Sequence, residues 1–239
     1  SPTAKVRASD VMTLDKSTIR LWGLSDGGRT AKPSQSAEVG AAQQLHDGAW
    51  DPHHTNEFTV AVDANIQTWD VRTMTCVLGG AVGGNATRCV ENSHTQCVRA
   101  LSYNPNKPWF LSSGGDDGLV KFWDLRRADA PVRALKGHTH WVWSVAFNPF
   151  HDQLVLSAGS DGEALLWQVS SVSSAPLLAV DDDEKAAADA LIDGVRGHDD
   201  SVYSVAWSAC NAWTFASLSY SGRLSICCVP ADQKYKILL

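Results

Sequence analysis

Hydrophobic and polar positions alternate over short runs of this 239-residue chain, and turn residues cut the runs apart. The clearest example lies between Gly137 and Trp167. There Trp141 to Phe147 alternates, Gln153 to Ser157 has an apolar centre, and Ala164 to Trp167 is apolar again. Asn148-Pro149 and Ser160-Asp161-Gly162 separate the three runs. Short β-branched and aromatic runs bounded by Pro, Asp and Gly predict antiparallel strands joined by tight turns. The layout recurs on both sides of this stretch. Trp22, Trp69, Trp123 and Trp167 each close the last strand of a unit, at intervals of 47, 54 and 44 residues.

Other residues keep step with these tryptophans. Asp63, Asp117 and Asp161 stand six residues before a Trp, and Thr59, Ser113 and Ser157 stand four before the Asp. His94 and His138 stand eleven before Pro105 and Pro149. The spacing is near the ~40–45 residues of one propeller blade with loop insertions, and the four positions resemble the WD-repeat family. In that family they form a hydrogen-bonded chain from the loop His through Ser/Thr and Asp to the Trp indole. Such a buried polar chain is favourable only when every member is satisfied. The resemblance implies an all-β fold: a WD-repeat β-propeller with about four complete four-stranded blades plus a partial N-terminal blade. The chain would be a fragment of a seven-bladed ring, in keeping with its start at Ser1-Pro2.

Residues 1–239 read as one propeller domain. A partial blade, 1–36, has a strand near Val6–Thr13, a turn at Asp15-Lys16-Ser17, a strand at Ile19–Leu24 and a Gly/Ser/Lys linker over Ser25–Ser36. Blade 37–72 carries Thr59, Asp63 and Trp69, with Ala41 at the His position. Blade 73–127 has a Gly/Asn-rich insertion (Gly79–Asn92) and the full set His94, Ser113, Asp117 and Trp123. Blade 128–170 has His138, Ser157, Asp161 and Trp167. An acidic loop, 171–187, contains Asp181 to Glu184 and reads as a solvated segment or a contact for a basic partner. Blade 186–230 keeps His198 and Ser217 but has Ser221 and Cys227 in place of Asp and Trp. A tail, 231–239, follows. Its alternative use is to close a five-bladed ring with Tyr235–Leu239.

Composition narrows the function. The net charge is −6, which argues against a nucleic-acid surface, since that needs a basic stripe. No run approaches the ~20 apolar residues of a membrane span. The six cysteines form no CxxC pair, so reduced thiols of a cytoplasmic protein are the expected state.

No catalytic, cofactor or metal constellation emerges. Asp51, His53 and His54 fall in a turn after a strand, where the fourth unit has Asn148-Pro149-Phe150, and they do not supply the closed tetrahedral set that zinc wants. The Ser, His and Asp of each unit recur as framework, whereas a hydrolytic triad is defined by geometry around an exposed nucleophile. His138 and His198 are accordingly expected to be structural. The surface for partners is expected beside the inner strands. Arg99, Trp143 and Tyr203 each follow a framework Val, with His140 and Trp141, and Asp200 and Ser201, nearby. Arg, Trp and Tyr are enriched in interface hot spots.

Several strings go beyond the generic repeat. They include Trp50-Asp-Pro-His-His54, Val120-Lys-Phe-Trp-Asp124, His140-Trp-Val-Trp143, His151-Asp-Gln-Leu154 and Lys234-Tyr-Lys-Ile-Leu-Leu239. Together they resemble the EARP and GARP complex-interacting protein family. That resemblance implies a non-catalytic adaptor for a tethering complex on endosomes and the trans-Golgi network, acting in endosomal recycling and vesicle trafficking. Its partners would be protein subunits, with neither nucleic acid nor direct membrane insertion. The alternative is a WD-repeat scaffold of another complex, such as a ubiquitin-ligase substrate receptor or a chromatin adaptor. Histone-tail recognition would need an acidic channel mouth, which Arg99 and Lys121 oppose.

Overall fold

The computed structural model describes residues 10–40, 42–77, 89–174, 189–195 and 197–238. Its strands form five antiparallel sheets in chain order. Sheet 1 holds β1 (Asp10–Asp15), β2 (Thr18–Ser25) and β3 (Thr30–Glu38). Sheet 2 holds β4 (Leu45–Trp50), β5 (Glu57–Val62) and β6 (Asn65–Asp70), with an outer lane of β7 (Thr75–Cys76) and β8 (Cys89–Val90). Sheet 3 runs β9 (Val98–Tyr103), β10 (Phe110–Gly115), β11 (Leu119–Asp124) and β12 (Arg133–Lys136). Sheet 4 runs β13 (Val142–Phe147), β14 (Leu154–Gly159), β15 (Ala164–Gln168) and β16 (Ala190–Val195). Sheet 5 holds β17 (Val202–Trp207), β18 (Thr214–Ser219) and β19 (Leu224–Cys228).

The apolar runs become strands because each is buried on both faces. β5, β10 and β14 have no residue on a solvent face. They are the second strands of their sheets, and neighbouring sheets sandwich them. Four clusters accordingly fill the gaps between consecutive sheets. Ile19, Leu21 and Phe58 join sheets 1 and 2. Ile66, Leu101 and Trp123 join 2 and 3. Phe122, Phe147 and Trp167 join 3 and 4. Leu156, Val205 and Phe215 join 4 and 5.

Polar bonds tie the first strands to one another. Asp47 Oδ2 accepts Leu101 N–H at 2.7 Å, Ser102 Oγ accepts Phe147 N–H at 3.2 Å, and Ser144 Oγ accepts Val205 N–H at 3.3 Å. β4, β9, β13 and β17 therefore line up side by side at the inner edge of the stack.

Three expectations are revised. Most of the stretch read as a linker over Ser25–Ser36 is strand β3, hydrogen-bonded along β2. Nearly every residue of β3 is exposed, so it has no apolar alternation to betray it, and Pro33 sits where an edge strand tolerates it. Sheets and sequence units are also offset by one strand. The outer strand of each sheet comes from the segment after its Trp, as in β16, where Leu191 pairs with Trp167. Among the described residues sheets 2, 3 and 4 are therefore four lanes deep, and sheets 1 and 5 have three strands. Finally, the tail forms helix α1 (Ala231–Leu238) rather than a closing strand. Pro230 starts it, its carbonyl accepting the Gln233 and Lys234 N–H groups. Val6 to Ser9, Ala41, most of the Gly79–Asn92 insertion and Asp181–Glu184 lie outside the described residues.

Candidate interaction surface

The framework residues come together in graded completeness. In sheet 3, His94 Nδ1 lies 2.7 Å from Asp117 Oδ1, His94 Nε2 lies 2.7 Å from Ser113 Oγ, and Trp123 Nε1 donates to the same Oγ at 2.9 Å. Sheet 4 repeats this through Asp161, His138, Ser157 and Trp167 at 2.9, 2.7 and 2.8 Å. The order is Asp–His–Ser–Trp, so the carboxylate ends the chain at the turn instead of standing between Ser and Trp. Burial pushes the His94 imidazole below its ordinary value despite the Asp117 carboxylate beside it. Burial alone would raise Asp117, but the His94 hydrogen bond and the nearby Lys121 charge hold it well below the usual carboxylate range.

In sheet 5, His198 Nε2 meets Ser217 Oγ at 2.8 Å, while His198 Nδ1 has no hydrogen-bond partner among the described residues. Ser221, at the Asp position, turns to Ser219 instead. In sheet 2, Thr59 Oγ1 bonds Thr68 Oγ1 at 3.0 Å and the Tyr103 hydroxyl of sheet 3 at 2.5 Å. Trp69 Nε1 is left buried without a hydrogen-bond partner among the described residues. Asp63 faces His46 at 4.0 Å and accepts the Gln44 N–H.

The rim beside the inner strands carries the other candidates. Arg99 forms a bidentate pair with Asp116, both N–O distances being 2.7 Å, and its Nη1 lies 3.4 Å from His46 Nδ1. Its guanidinium also sits 5.2 Å from the Trp143 ring centre and 5.7 Å from that of Trp141. Trp141 and Trp143 meet edge to face at 5.8 Å, and His140 leans on Trp141 at 4.9 Å. Trp143 Nε1 donates to Ser160 Oγ at 2.5 Å, and the Ser201 hydroxyl reaches the Ser160 carbonyl at 3.3 Å. Asp200 is exposed and caps the Ser201 N–H. Tyr203 pairs with Tyr220 at 4.9 Å. The rim is thus continuous from His46 in sheet 2 to Tyr220 in sheet 5. Trp141, Tyr203 and Tyr220 are 38%, 39% and 66% exposed, so each keeps apolar area in water.

Sequence reasoning missed four members of this surface, His46, Asp116, Ser160 and Tyr220. Asp116, Ser160 and Tyr220 each follow their rim partner Arg99, Trp143 or Tyr203 by 17 residues, directly before the turn position held by Asp117, Asp161 or Ser221. That constant offset is the signal that would have found them. The charge argument also changes. Arg99 is neutralised by Asp116, and Lys121 bridges to Asp117 at 3.3 Å, so neither makes the mouth positive.

Other titratable groups serve the scaffold. Asp51 Oδ1 accepts the N–H groups of His53 and His54 at 2.7 and 3.0 Å, and its Oδ2 meets His54 Nδ1 at 2.9 Å. Asn104 and Asn148 do the same for their own turns through Asn106, Lys107, Phe150 and His151. Asp51 is thus the capping residue of a repeated turn. His46, Asp63 and Cys97 lie close enough to share an ion, with Asp63 on the Nε2 side of the His46 ring and the Arg99 guanidinium on its Nδ1 side.

Comparison with known proteins matches this architecture. The family model described as EIPR1 beta-propeller matches residues 5–167, and the WD domain, G-beta repeat model matches residues 191–227. The chain is 42% identical to EARP and GARP complex-interacting protein 1 of Macaca fascicularis, over 96% of this chain and 61% of that protein. It is 32% identical to EARP-interacting protein 1 of Caenorhabditis elegans, over 95% of this chain and 63% of that one. The chain therefore spans less than two thirds of the length of these curated relatives. In fold it is similar to a chain of the crystal structure of the mitotic checkpoint complex, with a TM-score of 0.66, 20% identity, and coverage of 92% of this chain and 59% of that one. With its radial sheets, its Asp–His–Ser–Trp chains and a family model covering most of its length, this chain belongs to the EIPR1 β-propeller family.

Proposed function

We propose that this chain is the docking portion of a non-catalytic scaffold, an adaptor for a tethering complex of the EARP or GARP type. It works peripherally on endosomes and the trans-Golgi network in endosomal recycling. The observation that carries the reading is the aromatic rim, where Trp141 and Trp143 present rings beside a charge-paired Arg99 and Tyr203 pairs with Tyr220 further along. Rigid aromatic side chains held by their neighbours suit protein recognition, because little conformational entropy is lost on binding. The names of the relatives supply the class of partner. No helix among the described residues is long and apolar enough to cross a membrane, so attachment through a partner complex fits a peripheral role.

The test is affinity purification of the full-length protein with mass spectrometry, alongside its Trp141→Ala variant. Tethering-complex subunits should be recovered with the unaltered protein. The variant should lose roughly tenfold or more of that recovery, the scale of a hot-spot residue, with an unchanged melting temperature. Failure to recover any subunit overturns the adaptor reading. Full recovery with the variant overturns the role of the rim.

A further inference from the structure

We propose that Cys76 and Cys89 form a site of reversible oxidative modification, closing to a disulfide when the chain meets a hydroperoxide. Strand register carries the inference. Cys76 in β7 stands opposite Trp69, and Cys89 in β8 stands opposite Gln67. Between these positions the Val77 N–H donates to the Thr68 carbonyl at 2.8 Å. Val77 and Cys89 are twelve residues apart in the chain but take neighbouring places in one outer lane of sheet 2. The two cysteines therefore occupy alternate positions of that lane and face the same side. Two strand steps put their Cα atoms roughly 6.7 Å apart, at the upper end of the ~4.4–6.8 Å that a disulfide spans. β7 and β8 are two residues long and separate, so reaching the ~3.5–4.5 Å Cβ separation of a disulfide moves one short strand rather than a whole sheet.

Each thiol is only half-buried, so a peroxide can reach the pair. The thiolate of one cysteine attacks a peroxide oxygen, the O–O bond breaks, and that cysteine becomes a sulfenic acid as the first water leaves. The sulfur of the other then attacks the sulfenic sulfur, the S–S bond forms, and the hydroxyl leaves as the second water. Two thiols lose two electrons and two protons, and hydrogen peroxide becomes two waters. A dithiol reverses the change. The adjacent Cys227 and Cys228 face opposite sides of β19, so they cannot close in this way.

The experiment is titration of the 239-residue chain with hydrogen peroxide at neutral pH, followed by thiol counting and peptide mapping. The first two thiols lost should be Cys76 and Cys89, recovered as one cross-linked peptide pair that dithiothreitol separates. The oxidised chain should melt at a higher temperature, because the cross-link constrains the unfolded state. Cys89→Ser and Cys76→Ser should each abolish the cross-link and leave at the remaining cysteine of the pair a sulfenic acid that dimedone traps. Oxidation of Cys210 or Cys228 ahead of the pair overturns the proposal. So does oxidation of Cys76 and Cys89 without a cross-link.

Discussion

A single indole nitrogen distinguishes one sheet from the next. Trp123 gives its Nε1 proton to Ser113, while Trp69 Nε1 is buried with no acceptor among the described residues, Thr59 being held by Thr68 and Tyr103. Replacing each by phenylalanine removes the same atom from opposite situations. Trp123→Phe leaves the buried Ser113 short of a donor and should cost about 1–3 kcal/mol. Trp69→Phe deletes an unsatisfied group and should cost less than about 1 kcal/mol. Urea unfolding of the two variants decides, and equal losses would remove the distinction. The same networks set a response to acid. The folded state holds His94 below its ordinary 6.5 and Asp117 below its ordinary 3.8, so in both cases the unfolded chain binds protons more readily. Stability must then fall as pH falls, first from about 6.5 as the unfolded imidazole charges, then again below 3.8 as the unfolded carboxyl protonates. His198, held low by burial and by Arg223, adds to the upper step. Melting temperatures taken from pH 8 down to pH 4 should decline on the acid side, and a flat profile would contradict the linkage.

In sheets 3 and 4 the hairpin between the second and the third strand closes onto the histidine of its own network. At Gly159, in the last position of β14, an added Cβ would lie 2.7 Å from His138 Nδ1 and 2.8 Å from Asp161 Oδ1. Gly159→Ala therefore wedges apart the pair that anchors sheet 4, an overpacking that should cost about 1–3 kcal/mol. Gly23→Ala in β2, where no atom lies within 4 Å, should stay within about 1 kcal/mol of the parent. Guanidinium unfolding of both variants measures the contrast. The same elements show what was legible in the sequence. β5 and β14 announce themselves because burial on both faces leaves largely apolar runs, and their turns are spelled in Gly and Asp. β3 does not, because an exposed outer strand is held mainly by its backbone ladder, which any polar sequence can make. Arg99, Trp143 and Tyr203 stood out by residue type, but their rim neighbours Asp116, Ser160 and Tyr220 lie 17 residues from their partners and look like ordinary turn residues until the strands pair. Cys76 and Cys89 were likewise hidden by the insertion between them.

The sheets stack so that each inner one is covered on both faces, but sheet 5 has only sheet 4 beside it. Its other face aligns Ala206, Ala216 and Ile226 in one row and Ser204, Leu218 and Leu224 in the next. Ile226 is 71% and Leu224 59% exposed, and no described strand pairs along the outer edge of β19. An apolar face beside an open edge favours association. Fully burying an aliphatic side chain is worth about 1.5–3 kcal/mol, so four such side chains that start roughly two-thirds exposed gain about 4–8 kcal/mol when two copies meet. Association itself costs at least ~4 kcal/mol, which leaves at most about 4 kcal/mol, a contact in the millimolar range. Sedimentation velocity of the 239-residue chain should therefore show an average mass that climbs with concentration. Ile226→Lys should return it to a monomer at every concentration while leaving the melting temperature unchanged, because the side chain it replaces packs against little within the chain. A variant that unfolds instead would mean that Ile226 is already covered in solution, and a parent chain that stays monomeric throughout would mean that this face does not associate.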